Sequence, residues 1–240
     1  MFEPTIVDQP SPTPEREPLG ATLKGEAAVE EPDRGQRAIG RRSAETRATV
    51  PDLEMSVDVD AGPLAQAAER HAVSTTAVLV AACAAALRQC PYANAAYRDG
   101  RFELYSRINV AVVFQRPGAQ SAATILDADT RALPELEAEL SRLRERALGG
   151  QLTPPEQAGA TFTLIDLGEH GIHRAAALIT PPQAAALTAG AVRAVPVVRD
   201  GAVVPGRVVT LTLASDHRIL FGARAAAFLA AVAGYLEALA

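Results

Sequence analysis

The chain has 240 residues, enough for one large core or two small ones. It is 48% apolar and 21% charged with a formal net charge of -5, a composition of soluble globular proteins that argues against a nucleic-acid partner. Tryptophan is absent and aromatics are 4%, which leaves no platform for base stacking.

Residues 1–33 hold six of the 17 prolines and eight acidic residues against Arg16 and Lys24, with no apolar period. This composition predicts a disordered or loosely ordered tail, with the folded domain over 34–240. The start of the chain has no basic region followed by an apolar core, and no apolar run reaches about 18 residues, so neither a signal peptide nor a membrane span is expected. A cytoplasmic protein is the expectation.

Arg34 to Thr49 is polar and arginine-rich and predicts a helix ending before Pro51. Leu53 to Val59 alternates apolar and polar residues as a strand does. Gly62-Pro63 breaks it, a helix follows to about Arg70, and Ser74 is placed to cap a buried helix over Ala77–Arg88. Phe102–Tyr105 and Ile108–Phe114 read as strands. Leu136, Leu140, Leu143 and Leu148 recur at helical spacing after Pro134. Thr161–Leu167, Ala175–Thr180 and Gly190–Val198 are further extended segments. Asp200-Gly201 makes a hairpin turn into a long strand from Val203 to Leu213, and a last helix starts near Ala223. Interleaved strands and helices with several hairpins predict an α/β fold whose mixed sheet is largely antiparallel.

Cys83 and Cys90 fall in one helix and predict neither a disulfide framework nor a metal site. His71 ends a helix. His170 and His173, in EHGIHR, are read as a solvated loop, because two imidazoles without further ligands do not make a metal centre. The remaining histidine, His217, lies in LTLASDHRILFGARAAAFL, where the longest strand gives way to the last helix. A polar group at a strand end meets solvent from a rigid support, a usual place for chemistry.

VTLTLASDHRILFGARAAAFL resembles the C-terminal signature of the dihydrolipoamide acyltransferases, the catalytic cores of the 2-oxoacid dehydrogenase complexes. That pattern is a strand, Asp-His-Arg, two apolar residues, Asp or Asn, Gly, and an alanine-rich helix. Asp216, His217, Arg218, Ile219, Leu220 and Gly222 match it. Upstream, RAIGRRSAETRATVPDLEMSVDVD, PYANAAYRDG, INVAVVFQRPG, GATFTLIDLG and TPPQAAALTAGAVRAVPVVRDGAVVP are similar to the family's successive segments, in the same order.

The resemblance implies a chloramphenicol acetyltransferase-like fold and a homotrimer with active sites between subunits. It implies acetyl-CoA as acyl donor, no metal, and His217 as the general base, a task suited to imidazole because its pKa lies near neutrality. Asp216, Arg218 and Gly222 would be structural near the site. Two departures stand out. The family's oxyanion-stabilising Ser corresponds to Ile165, for which Thr163 is the candidate stand-in, and its neighbouring Asn is Asp166. The Asp or Asn after the His-Arg pair is Phe221, whose former arginine partner would be Arg41 or Arg42. Ile165, Asp166 and Phe221 are therefore the expected substrate-binding positions. No lipoyl domain or lipoyl-bearing lysine is evident before the core, and the C-terminus lacks the family's cage-forming anchor, so a free trimer is expected.

These features favour a stand-alone O-acetyltransferase acting on the hydroxyl of a small metabolite, with a tetronate intermediate of polyketide biosynthesis as the expected acceptor. The alternatives are a dihydrolipoamide S-acyltransferase core without a lipoyl domain, and a non-catalytic trimeric scaffold.

Overall fold

The computed structural model describes residues 17–22, 25–116 and 119–239. The chain opens on an antiparallel hairpin, β1 (Glu17–Thr22) and β2 (Gly25–Val29). Part of the segment expected to be a tail is thus paired backbone; residues 1–16 lie outside the described residues. Helix α1 (Arg34–Thr49) starts at Asp33, which exchanges capping hydrogen bonds with Gln36. Only Thr46 of this arginine-rich helix is buried, and its hydroxyl donates to the Ile179 carbonyl at 3.1 Å.

Strand β3 (Asp52–Asp60) leads into α2 (Ala61–His71), with Pro63 in the first turn. Helix α3 (Thr75–Gln89) is capped by Ser74, whose hydroxyl accepts the Ala77 N–H at 3.2 Å. It is buried on nearly every side. Cys83 sits there at full burial, which pushes its thiol up to about 12 and leaves it inert.

A separate hairpin, β4 (Ala95–Arg98) and β5 (Arg101–Leu104), precedes β6 (Val110–Arg116) and β7 (Ala119–Ile125). Helix α4 (Leu133–Leu148) buries Leu136, Leu140 and Leu143, as their spacing predicts. The rest is β8 (Phe162–Asp166), β9 (Ala185–Ala189), β10 (Arg193–Arg199), β11 (Ala202–Asp216) and α5 (Gly222–Glu237).

Seven strands form one sheet in the order β10-β11-β9-β8-β6-β7, with β3 on the other edge of β11. Only β6–β8 and β8–β9 are parallel; the other pairings are antiparallel. The main core, with Phe162, Phe228, Leu64, Leu87, Leu187 and Leu213, lies between one face of this sheet and α2–α5. A smaller cluster on the opposite face joins Val50, Ala177, Ile179, Ala186 and Ala214.

Directly paired residues share a face. On the face of the smaller cluster, one row runs Thr163, Ala186, Ala214, Glu54, and the next runs Ile165, Thr188, Thr212, Ser56. These two rows place the candidate site.

Within the sheet, further expectations differ from the fold. Ala175–Thr180, read as a strand, joins no ladder and crosses the outer face, where Ala177 and Ile179 pack on the smaller cluster. Strands β7 and β9 escaped the sequence pattern because AQSAATI and AALTA are rich in alanine, a poor strand former; pairing with neighbours on both sides builds β9 regardless.

Gly190 follows β9 where the chain passes against the backbone of His173. A Cβ there would lie 2.0 Å from the His173 carbonyl oxygen, an overlap with backbone that no rotamer relieves. Gly190→Ala is expected to cost about 3 kcal/mol, read as a lower urea midpoint; an unchanged midpoint would show the contact to be loose.

Candidate active site

The turn after β11 is tied on both sides. The Asp216 N–H donates to the Ala184 carbonyl at 2.8 Å and the His217 N–H to the Pro51 carbonyl at 2.9 Å. The Asp216 carbonyl accepts from Ile219 and Leu220 at 3.0 and 2.8 Å, and both of those side chains are sunk in the core. This explains the apolar pair in DHRIL: it anchors the turn while His217 points outward.

The Asp216 carboxylate is buried and turns back on its own loop. It accepts from the Arg218 N–H at 3.0 Å, from Nε at 2.9 Å and from Nη2 at 2.6 Å. That fork holds the Arg218 guanidinium above the usual arginine range, and the same group lies 4.6 Å over the Tyr97 ring. The His217 imidazole is exposed and has no intrachain hydrogen bond among the described residues. The Phe221 ring stands edge-on to it, centroids 6.5 Å apart, and is 44% exposed, an apolar wall beside the base. The Arg224 guanidinium is stacked between Phe221 at 4.8 Å and Tyr92 at 3.7 Å. Gly222 opens α5 at φ 22°.

Thr163 and Ile165 line a cavity of about 240 Å³ on the outer sheet face, closed by Arg42 and Thr46 of α1 and by Ala176–Thr180. His217 is not among the residues that line it. The Thr163 hydroxyl donates to the Gln183 side-chain oxygen at 2.6 Å. A hydroxyl has one hydrogen, so as folded Thr163 has none left for an oxyanion. Asp166 lies on the opposite face: its carboxylate accepts from the Thr76 hydroxyl at 2.7 Å and the Gly168 N–H at 2.9 Å, tying β8 to the start of α3. Within one chain, then, Thr163 and Ile165 come together, Phe221 joins His217, and Asp166 belongs to neither group. Arg41 and Arg42 pair with no carboxylate among the described residues. Those residues also contain no group of three His, Cys, Asp or Glu able to hold a metal, and no single helix long and apolar enough to cross a membrane.

Sequence reasoning missed Tyr97, Tyr92 and Gln183. Tyr97 comes from the β4–β5 hairpin, distant in the chain, and no local pattern announces it.

A mixed sheet with α2–α5 on one face and α1 on the other, an exposed imidazole at the end of its longest strand and an Asp–Arg fork on either side of it in sequence fit an acyltransferase core. The chain belongs to the 2-oxoacid dehydrogenase acyltransferases: their catalytic domain matches residues 25–240. Among curated proteins it is similar to the dihydrolipoyllysine-residue acetyltransferase component of the Zymomonas mobilis pyruvate dehydrogenase complex, 32% identical over 211 residues. That match covers 84% of this chain and 48% of the relative, so the chain spans about half the length of the protein it matches. Among solved structures, the Azotobacter vinelandii dihydrolipoamide acetyltransferase superposes with a TM-score of 0.84 at 24% identity, covering 94% of this chain and 97% of the other. The cubic core of a pyruvate dehydrogenase multienzyme complex superposes equally well, with the same TM-score of 0.84. Chloramphenicol acetyltransferase shares the fold at a TM-score of 0.53 and 15% identity, over 82% of this chain and 94% of its own.

Proposed function

We propose that this chain moves an acyl group between coenzyme A and the thiol of a dihydrolipoyl group, with His217 as general base. The observation that carries the reading is the Asp216-His217-Arg218 turn, which presents a free imidazole on a rigid support. The acceptor S–H gives its proton to the imidazole as sulfur attacks the thioester carbonyl. The tetrahedral oxyanion collapses, expelling the CoA thiolate, which takes the proton back from the imidazolium. The relatives are named for dihydrolipoyl acetyl transfer, and this supports a dihydrolipoyl thiol over the tetronate hydroxyl that the sequence favoured. The Azotobacter vinelandii study concerns a serine, a histidine and an asparagine in the mechanism of that enzyme. Their separations along its chain are those between Ile165, His217 and Phe221 here.

His217 is exposed while the cavity at Ile165 lies on the sheet face, which supports a complete site formed between subunits, as a trimer would give. The test is S-acylation of free dihydrolipoamide by acetyl-CoA, followed by mass spectrometry, with His217→Ala as control. No transfer by the parent to any thiol or alcohol acceptor would leave the scaffold reading.

A second reading, O-acylation of an alcohol on an apolar small molecule, is favoured by Ile165 and Phe221, where a polar wall would be expected for a solvated acceptor. Phe221→Asn is expected to shift the ratio of transfer to dihydrolipoamide over an apolar alcohol by about tenfold toward the thiol. Competition between the two acceptors reads that ratio directly; no shift would remove Phe221 from the acceptor wall.

A further inference from the structure

From the unpartnered hydroxyl of Thr188 beside Ile165, we infer that Thr188 donates the hydrogen bond that stabilises the oxyanion. This rests on the acyl-transfer reading above.

A tetrahedral oxyanion in a dry site needs a preorganised donor, and losing one costs on the order of 10²–10³ in rate. Ile165 has none to give. The outer sheet face offers several hydroxyls, and most are engaged. Thr163 donates to Gln183, Thr210 to Asp58 at 2.6 Å, and Thr46 to the Ile179 carbonyl. Ser56 and Thr212 bond each other at 3.1 Å. Among the described residues Thr124 on β7 also makes no side-chain hydrogen bond, but Thr188, 2% exposed, is the hydroxyl whose Oγ1 is sealed from water with no partner. An unsatisfied buried hydroxyl costs about 1–3 kcal/mol, and one in the middle of a well-paired sheet calls for a reason.

Its position supplies one. In the parallel β8–β9 ladder Thr188 is the direct partner of Ile165, on the same face, so it sits one strand spacing, about 4.8 Å, to the side. The donor missing from β8 is present on β9. The cavity bounded by Ile165 and Ala176–Thr180 is the way in for the thioester oxygen. Thr188 is not itself among the residues lining that cavity, and its Oγ1 is closed off from water in the free protein.

A structural hydroxyl and a donor held for substrate respond oppositely to Thr188→Val, which keeps the shape and removes the O–H. If the hydroxyl serves the substrate, the free protein loses nothing, so the melting temperature stays or rises. In difference infrared spectra, carbonyl-labelled acetyl-CoA bound to the parent shows a thioester stretch at lower frequency than in water. Thr188→Val returns it toward the unbonded value while CoA affinity holds. The transfer rate falls about 10²–10³-fold, and Ile165→Ser added to Thr188→Val restores it at least tenfold. A parent spectrum without the shift, a shift unchanged in Thr188→Val, or a lower melting temperature in that variant would each overturn the assignment. The infrared shift does not need turnover. A shifted band in a parent that transfers nothing to dihydrolipoamide would therefore sink the proposed reaction and leave Thr188 standing.

Discussion

His217→Ala is expected to slow acyl transfer about a thousandfold while leaving the fold and CoA binding intact. General-base assistance is worth about 10²–10⁴ in rate, and no other imidazole shares this turn. The fold is spared for geometric reasons. The side chain is exposed and makes no hydrogen bond among the described residues, whereas what His217 gives the structure is its backbone N–H to Pro51, which alanine keeps. Surface changes of this kind shift stability by about 0.5 kcal/mol or less. Steady-state transfer from acetyl-CoA to dihydrolipoamide, beside a melting curve, checks both parts. A variant as fast as the parent would remove the base from the mechanism.

The turn was legible in the sequence because every part of it is local. An apolar strand, a charged triplet, two apolar anchors and a glycine before an alanine-rich helix lie within one short stretch, and each has one sensible place to go. Helix α3 was legible from its cap, α4 from its leucine spacing, and α1 from a polar, arginine-rich run ending before Pro51. The outer sheet face was not. Its chemistry depends on which residue of β8 stands beside which of β9 and β11, and β9 itself was hidden by its alanines. With β9 unread, Thr163 looked like the natural substitute for a donor at Ile165, two residues along the same strand. Register shows that its hydrogen is already taken by Gln183 and that the free hydroxyl lies across the ladder. Asp166 escaped for a different reason. Alternation alone puts it on the face opposite Ile165, and only the contact with Thr76 shows what it does there.

Asp216→Asn is expected to lower both stability and rate, and the two losses have one cause. The carboxylate is 4% exposed and receives a backbone N–H and two guanidinium nitrogens; an amide offers one acceptor and turns an NH₂ toward Arg218. Breaking a fully buried pair costs 3–5 kcal/mol. Arg218 keeps 32% of its side chain in water, so the loss here should be about 2 kcal/mol. Freed from Asp216, Arg218 no longer fixes the loop against Tyr97, and the imidazole beside it wanders. A displacement near 1 Å costs about 10² in a positioned reaction, so the rate should fall by about that factor at saturating acetyl-CoA, with KM for the thioester little changed. The split separates positioning from binding. Asp216→Glu keeps the charge and tests the geometry alone: it should recover most of the stability and little of the rate. If Asp216→Asn loses stability but transfers at the parent's rate, the fork supports the fold and does not aim the base.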